Sequence, residues 1–224
     1  MGLRIPVAWV FRASVLCTGG ALIIAARYGY DTRSRVLAAI GVAVLLVTTG
    51  LLWRGQQWLE QRDGLAEMTF VGTLLGLLWS IEIGINNVLA PPLPLRDHID
   101  NAFWASIALG ILVATGLRAR RAGFMQGLRT GVWCGLVSGL IACLTALALI
   151  VFGMALILQD PLNRAEWVAR QSQTAAPTMA AYFAMETFAG ALLHLTLGVG
   201  MGGVLGVVGG ACRTLVKWSR RQLV

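Results

Sequence analysis

The feature that most constrains this chain is a series of apolar runs, each close to twenty residues or longer and nearly free of charge. A hydrocarbon core of roughly 30 Å is crossed by about 20 residues of α-helix. Unpaired backbone groups are costly in lipid, so runs of this kind form helices that satisfy their own hydrogen bonds. The alternating segments of about ten residues typical of a membrane β-barrel are absent from the sequence. We therefore predict an all-α integral membrane protein.

The composition agrees with this class. The chain is 57% hydrophobic and only 12% charged, with a mean hydropathy of +0.74, whereas soluble domains carry about a quarter charged residues. The net charge of +8 does not indicate a nucleic-acid-binding protein, because the basic residues flank apolar runs instead of covering a soluble module. We predict the lipid bilayer as a partner and no nucleic acid.

The breaks between apolar runs predict one polytopic domain, residues 1–224, with six helices. The spans lie at about 5–28, 35–53, 65–89, 99–117, 128–158 and 178–211. The first run has the plan of a signal peptide, but the residues around Ala26 make a poor cleavage site, so we expect an uncleaved helix. Asp160 and Pro161 predict the start of a short surface helix that continues through Arg170.

The basic residues orient the six spans. With alternating crossings, six of the 18 Lys and Arg residues fall on one side and the other twelve fall on the side of both termini. The six are Arg27, Arg33, Arg35, Arg96, Arg164 and Arg170. Loops rich in Lys and Arg stay in the cytoplasm, so we predict cytoplasmic termini (N-in/C-in) in a multi-pass cell membrane protein of the bacterial inner-membrane type.

Two stripes of glycine at four-residue spacing mark the fifth and sixth predicted spans. They are Gly127, Gly131, Gly135 and Gly139 in the fifth, and Gly198, Gly202, Gly206 and Gly210 in the sixth. Because the two spans run in opposite directions, both stripes fall in the cytoplasmic half. Small residues four apart let helix backbones approach closely. We predict glycine-stripe packing between helices five and six. The same faces could instead slide in a transporter, or bind a second copy or another membrane protein.

Glu82 and Glu186 lie deep within predicted spans. Counting from the outer ends of their helices puts both on the order of 12 Å below the outer interface. Charge in hydrocarbon is expensive, so both should face the bundle interior or a wet cavity, and two close carboxylates tend to hold a proton. Asn86 and Asn87 lie one turn from Glu82, and His194 could extend the pair as a proton relay. We predict a proton or ion site from these five residues; the alternative is a structural, hydrogen-bonded role.

Motifs for other chemistry are missing. The sequence contains neither the Glu-x-x-His pairs of di-iron bundles nor His-Glu-x-x-His, so we predict no metal. A Gly-x-Ser-x-Gly nucleophile elbow and a Gly-x-x-x-x-Gly-Lys phosphate loop are also missing. We predict no cofactor, and a non-enzymatic role is favoured over a membrane-embedded enzyme.

Two function classes follow from these features. The first is a small proton-coupled transporter or channel-like protein that uses the intramembrane carboxylate pair. The second is a non-catalytic membrane subunit whose glycine faces and loops assemble with partner proteins or with a second copy. A dry, sealed bundle would favour assembly, whereas a cavity at the acidic residues would favour transport.

Overall fold

The fold is described by a computed structural model for residues 7–60, 65–89, 91–118 and 123–222. All regular structure within these ranges is helical. The helices are α1 (Val7–Tyr28), α2 (Thr32–Glu60), α3 (Leu65–Gly84), α4 (Leu95–Arg118), α5 (Gly123–Phe152), α6 (Met154–Gln159), α7 (Pro161–Arg170) and α8 (Met179–Gln222). A π-helical turn, Ile85–Leu89, continues α3.

Among the described residues, six helices are long and apolar enough to cross a membrane. Their apolar segments are Ala8–Tyr28, Thr32–Gly55, Leu65–Leu89, Leu95–Leu117, Gly123–Phe152 and Met179–Cys212. The predicted all-α, multi-pass membrane architecture is therefore confirmed. The predicted first span begins at residue 5, which lies outside the described residues, as do four of the counted basic residues, Arg4, Arg62, Arg120 and Arg121.

Two helices extend well beyond the predicted spans. The span predicted at 35–53 lies inside α2, and α8 continues past residue 211 to Gln222. Hydropathy identifies the part of a helix that suits lipid, whereas backbone hydrogen bonding continues into polar sequence. At the start of α2, the Asp31 carboxylate accepts from the Ser34 N–H at 2.7 Å and the Ser34 hydroxyl accepts from the Asp31 N–H at 3.0 Å. This reciprocal capping box fixes the helix start ahead of the apolar run.

The fourth span also starts earlier than predicted, at Leu95 instead of residue 99. Asp97 lies in the first turn of α4, where a negative charge interacts favourably with the helix dipole. The Arg96 N–H donates to the carbonyl oxygen of Pro92 at 3.2 Å, which joins the proline segment to the new helix.

The fifth predicted span, 128–158, is not a single helix. It breaks at Gly153, which has φ −109° and ψ 10° and separates α5 from α6. A Cβ built on Gly153 would lie 3.0 Å from the carbonyl oxygen of Leu149, so a side chain at the break would crowd the preceding turn. The predicted surface helix is confirmed as α7, where the Asp160 carboxylate accepts from the Leu162 N–H at 3.0 Å.

The core is built around α5, which packs against α1, α3, α4 and α8. Its side chains are buried on several faces, including Val137 and Leu140. By contrast, α2 packs mainly on α1 and exposes large apolar side chains such as Ile40, Val47 and Leu51. A central helix surrounded by others with apolar outer faces is the arrangement expected of a bundle surrounded by lipid.

The backbones of α5 and α8 approach each other closely. A Cβ built on Gly198 would lie 2.6 Å from the carbonyl oxygen of Gly135, which leaves no room for a side chain there. Similar close approaches join Gly127 to Gly206, Gly131 to Gly202, Gly139 to Leu195, and Gly210 to Phe124. Residue numbers rise along one helix as they fall along the other, so α5 and α8 are antiparallel.

Candidate functional site

One face of α3 carries a buried acid. Trp79, Glu82 and Asn86 are three and four residues apart, so they follow each other along the same side of the helix. The Glu82 side chain is buried, and its Oε1 accepts a hydrogen bond from Asn86 Nδ2 at 3.0 Å. Asn86 lies in the π-helical turn, a distortion often found at functional sites.

A second carboxylate comes from the first turns of α4. Asn86 Nδ2 also donates to Asp100 Oδ1 at 2.6 Å. An amide nitrogen has two hydrogens, and here each one serves a different carboxylate. Asn86 therefore links Glu82 and Asp100 across two helices and keeps the two acids apart.

The third helix of the site is α8, which contributes His194. Its Nε2 lies 3.7 Å from Glu82 Oε2, and its Nδ1 lies 2.8 Å from the carbonyl oxygen of Gly190. A carbonyl oxygen only accepts, so Nδ1 carries a hydrogen, and in the neutral ring Nε2 is then a bare acceptor.

The facing atoms of Glu82 and His194 conflict unless a proton lies on one of them. An ionised carboxylate and an unprotonated ring nitrogen are both acceptors and repel each other. One proton, on Oε2 or on Nε2, turns the repulsion into an attraction. The arrangement is chemically suited to bind and release a single proton.

Two tryptophans enclose this pair. The ring centroids of Trp79, Trp104 and His194 are 5.4 to 5.5 Å apart in all three combinations. Trp79 is fully buried. The two indole rings cover most of the imidazole, whose side chain is 17% exposed, and the apolar walls reduce the screening of its interaction with Glu82. We call Trp79, Glu82, Asn86, Asp100, Trp104 and His194 the Glu82 cluster.

The buried side-chain nitrogen and oxygen atoms that lack a hydrogen-bond partner, within the described part of the chain, all belong to the Glu82 cluster. They are Trp79 Nε1, Glu82 Oε2, Asn86 Oδ1 and His194 Nε2. Each such atom costs about 1–3 kcal/mol. Unsatisfied atoms gathered in one place, rather than scattered through the core, are typical of a site that exchanges a proton or a small polar ligand.

Glu186 has different surroundings. It is exposed and lines a cavity of about 520 Å³ between the α1–α2 turn, the end of α7 and the first turns of α8. We call this the Glu186 cavity; its polar lining includes Tyr30, Asp31, Arg33, Arg170, Thr174 and Glu186. Glu82 contacts His194 and Asn86 and makes no hydrogen bond or ion pair with Glu186. Asn87 turns away from the site, since its Nδ2 donates to the carbonyl oxygen of Ile83 in its own helix.

Three members of the Glu82 cluster were not among the predicted site residues: Trp79, Asp100 and Trp104. From the sequence alone, Trp104 is typical of an aromatic residue at the membrane interface, and Asp100 falls in a polar loop. A usable signal existed in the spacing, because Asp100 and Trp104 are four residues apart on one helix face, as Glu82 and Asn86 are.

The described residues contain no group of three His, Cys, Asp or Glu side chains placed to hold a metal ion. Comparisons with protein-family models, curated proteins and solved structures found no match.

Proposed function

We propose that this multi-pass helical membrane protein is a small proton-coupled transporter or channel-like protein, in which Glu82 and His194 bind and release the proton. The observation that carries the proposal is the fixed imidazole. Its Nδ1 is committed to Gly190, so its Nε2 faces the Glu82 carboxylate across 3.7 Å. Ionisable side chains within membrane helices are expensive, and they mark proton or ion pathways by default.

The polar chain through Asp100 supports a route to the surface. Asp100 is half-buried, whereas Glu82 is buried, and Asn86 joins them through hydrogen bonds of 2.6 and 3.0 Å. Asp100 is the other titratable group facing Glu82 and would hold the next proton outward. With the basic residues predicting cytoplasmic termini, this end of the bundle would face outward.

We also propose that the two glycine stripes are the packing surface on which α8 moves relative to α5. The backbone approach of Gly135 and Gly198 supports this role. A smooth surface without side chains lets one helix tilt on another without unlocking interdigitated residues. His194 lies on α8 one turn before Gly198, so a tilt of α8 would change the distance between His194 and Glu82.

The same glycines bear on the alternative role in assembly. Because they meet each other within one chain, they are not free to bind a partner protein. A homo-oligomer or a membrane partner would need a different surface, such as the apolar outer face of α2.

Proton binding is tested by infrared titration of purified protein in lipid nanodiscs. A carboxylic-acid C=O band should appear as the pH falls, and it should be lost in Glu82→Gln and shifted in His194→Gln. In the matched control, Asp97→Asn, an exposed carboxyl group on α4 is removed and the band should stay. A band unchanged in Glu82→Gln would contradict the proposal.

Coupling to flux is tested in proteoliposomes that contain a pH-sensitive dye. With an imposed pH gradient and potential, the wild type should move protons, and Glu82→Gln and His194→Gln should fall to the level of empty liposomes. Asp97→Asn should keep wild-type flux. If both site variants keep full flux although the infrared band is lost in Glu82→Gln and shifted in His194→Gln, the cluster binds a proton but does not conduct it.

A further inference from the structure

The Glu186 cavity is a polar feature separate from the Glu82 cluster. Three separate elements form it: the α1–α2 turn, the segment after α7, and the first turns of α8. Its volume of about 520 Å³ lies within the range of roughly 300–1,000 Å³ found for small-molecule sites. A small organic solute, and not only an ion, fits this space.

Two of its four charged side chains already have partners. Asp31 is held by the Ser34 N–H at 2.7 Å, a contact that keeps the pKa of Asp31 below its usual value because it stabilises the carboxylate. Arg170 pairs with Glu166 at 3.3 Å. These two side chains line the cavity with one negative and one positive charge, each of which already has a partner.

The other two charged groups, Arg33 and Glu186, have no direct partner. Within the described part of the chain, neither makes a hydrogen bond or an ion pair within 4.0 Å, and they act only by charge on their neighbours, Arg33 on Asp31 and Glu186 on Tyr182. They come from α2 and α8, on different walls, and stand more than 4.0 Å apart. Opposite charges held apart on two walls suit a ligand that carries both charges itself.

The position of Glu186 along α8 also supports a ligand of this kind. It lies within the apolar segment Met179–Cys212 of α8, about two turns after its start, and it is exposed. An exposed carboxylate at that depth is tolerated only where it faces a water-filled cavity. This expectation fits the place of Glu186 on the polar lining of the cavity, next to residues of the α1–α2 turn.

We propose that the Glu186 cavity binds a small zwitterion, with Arg33 holding its carboxylate or phosphate and Glu186 holding its ammonium group. Guanidinium groups bind carboxylate and phosphate in a bidentate geometry. The zwitterion is either a free solute or the headgroup of a phospholipid such as phosphatidylethanolamine. Its role as the transported substrate rests on the proposed proton-coupled function, whereas the binding itself does not.

The two sites share one helix. Glu186 and His194 are eight residues apart on α8, about 12 Å along its axis. The Glu186 cavity and the Glu82 cluster share no residue, so each site can be tested separately.

The test is calorimetric binding of phosphoethanolamine to the full-length protein in phosphatidylglycerol nanodiscs, compared with ethanolamine and inorganic phosphate. Phosphoethanolamine should bind at least about tenfold more tightly than either half, because it alone satisfies both walls. Glu186→Gln and Arg33→Gln should each weaken that binding by about tenfold or more. The matched control is Arg27→Gln, an exposed arginine at the end of α1 that does not line the cavity.

The lipid source is separated from the free solute by a second set of nanodiscs. If phosphatidylethanolamine nanodiscs abolish phosphoethanolamine binding, the headgroup occupies the cavity; if the affinity is unchanged, the ligand is a free zwitterion. Either result supports the site. Binding of phosphoethanolamine no tighter than that of its halves, or equal binding by Glu186→Gln and Arg33→Gln, overturns it.

Failure of this proposal is distinct from failure of the proton site. Glu186→Gln should leave the Glu82 infrared band in place, whereas Glu82→Gln should leave phosphoethanolamine binding within about threefold of wild type. Loss of binding together with an intact Glu82 band would assign the defect to the cavity alone.

Discussion

At the scale of single residues, Asn86 organises the Glu82 cluster. Its amide nitrogen donates to carboxylates on two helices, Glu82 on α3 and Asp100 on α4. Without it, the facing oxygens of the two acids would have no hydrogen-bond donor between them. Asn86 is therefore a positioning residue for Glu82, the acid of the proposed proton site.

Replacing Asn86 by leucine should destabilise the protein by about 1–3 kcal/mol, because it removes the donor of two buried hydrogen bonds. Asn87→Leu is the matched control, since the Asn87 amide bonds only to a backbone oxygen of its own helix. Thermal unfolding in detergent, followed by tryptophan fluorescence, measures the difference. Equal effects of the two changes would contradict the role assigned to Asn86.

The sequence identifies the ionisable members of the site better than it identifies their partners. Glu82 and His194 stand out because charge is rare within apolar runs. Their pairing does not follow from counting residues, which puts Glu82 level with Glu186. Counting assumes that each helix starts at the membrane surface and crosses without tilt, whereas α8 brings His194 against Glu82. Depth and rotation about the helix axis are set by packing, and one sequence does not contain them directly.

At the scale of helices, the contact between α5 and α8 is the closest in the bundle. The carbonyl oxygens of one helix point into the Cα positions of the other at several successive turns. There is no space for an added methyl group at such a position, because the neighbouring atoms belong to the backbone and not to the end of a flexible side chain. The interface therefore depends on glycine at those positions and not merely on small residues.

Gly135→Ala should destabilise the protein by about 1–3 kcal/mol or more through overpacking against Gly198. Gly200→Ala is its control, because a Cβ there meets nothing within 4 Å, and alanine is the better helix former by about 1 kcal/mol. Thermal unfolding should rank the proteins Gly200→Ala, wild type, Gly135→Ala from most to least stable. A tolerated Gly135→Ala would show that α8 shifts away without cost.

The ion pair between Arg96 and Asp160, which joins two helical elements, leads to another testable prediction. The distance is 3.2 Å, and the side chains are 15% and 2% exposed. Arg96→Met leaves a buried carboxylate without its partner, a change that costs about 3–5 kcal/mol. Asp160→Asn should cost less, because an amide still caps α7 and Arg96 is long enough to reach water. Chemical unfolding of the two variants under the same conditions should give this order, and the reverse order would contradict it.

Helix positions were largely predictable and helix ends were not. Apolar length alone locates the six membrane-crossing segments, because lipid thickness sets it. The break at Gly153 is hidden in a run that reads as continuous, since a lone glycine in an apolar stretch looks like any packing glycine. The start of α4 at Leu95 depends on local hydrogen bonds next to the proline segment, which hydropathy does not register.

At the scale of the whole molecule, the orientation is open to direct measurement. With Cys212, the exposed native cysteine, changed to serine, Ser172→Cys between α7 and α8 should react with a membrane-impermeant maleimide in intact cells. Met125→Cys in the first turn of α5 should react only after the cells are permeabilised. These results follow if the side with fewer basic residues faces outward. The opposite pattern would invert the proposed topology and the direction of proton entry.

The Arg96–Asp160 ion pair also bears on how the proposed transporter would open at the end of the bundle that holds α6 and α7. It joins the start of α4 to Asp160, the residue between α6 and α7. Separating these elements would leave the Asp160 carboxylate, which is 2% exposed, without its charged partner. Among the described residues, no ion pair joins the α1–α2 turn to α7 or α8. At this end of the bundle, one side is thus held by an ion pair, and the other side has none among the described residues. In the proposed transporter, an opening at this end would therefore separate the α1–α2 turn from α8 more readily than α4 from α7, on the side where Glu186 lines its cavity.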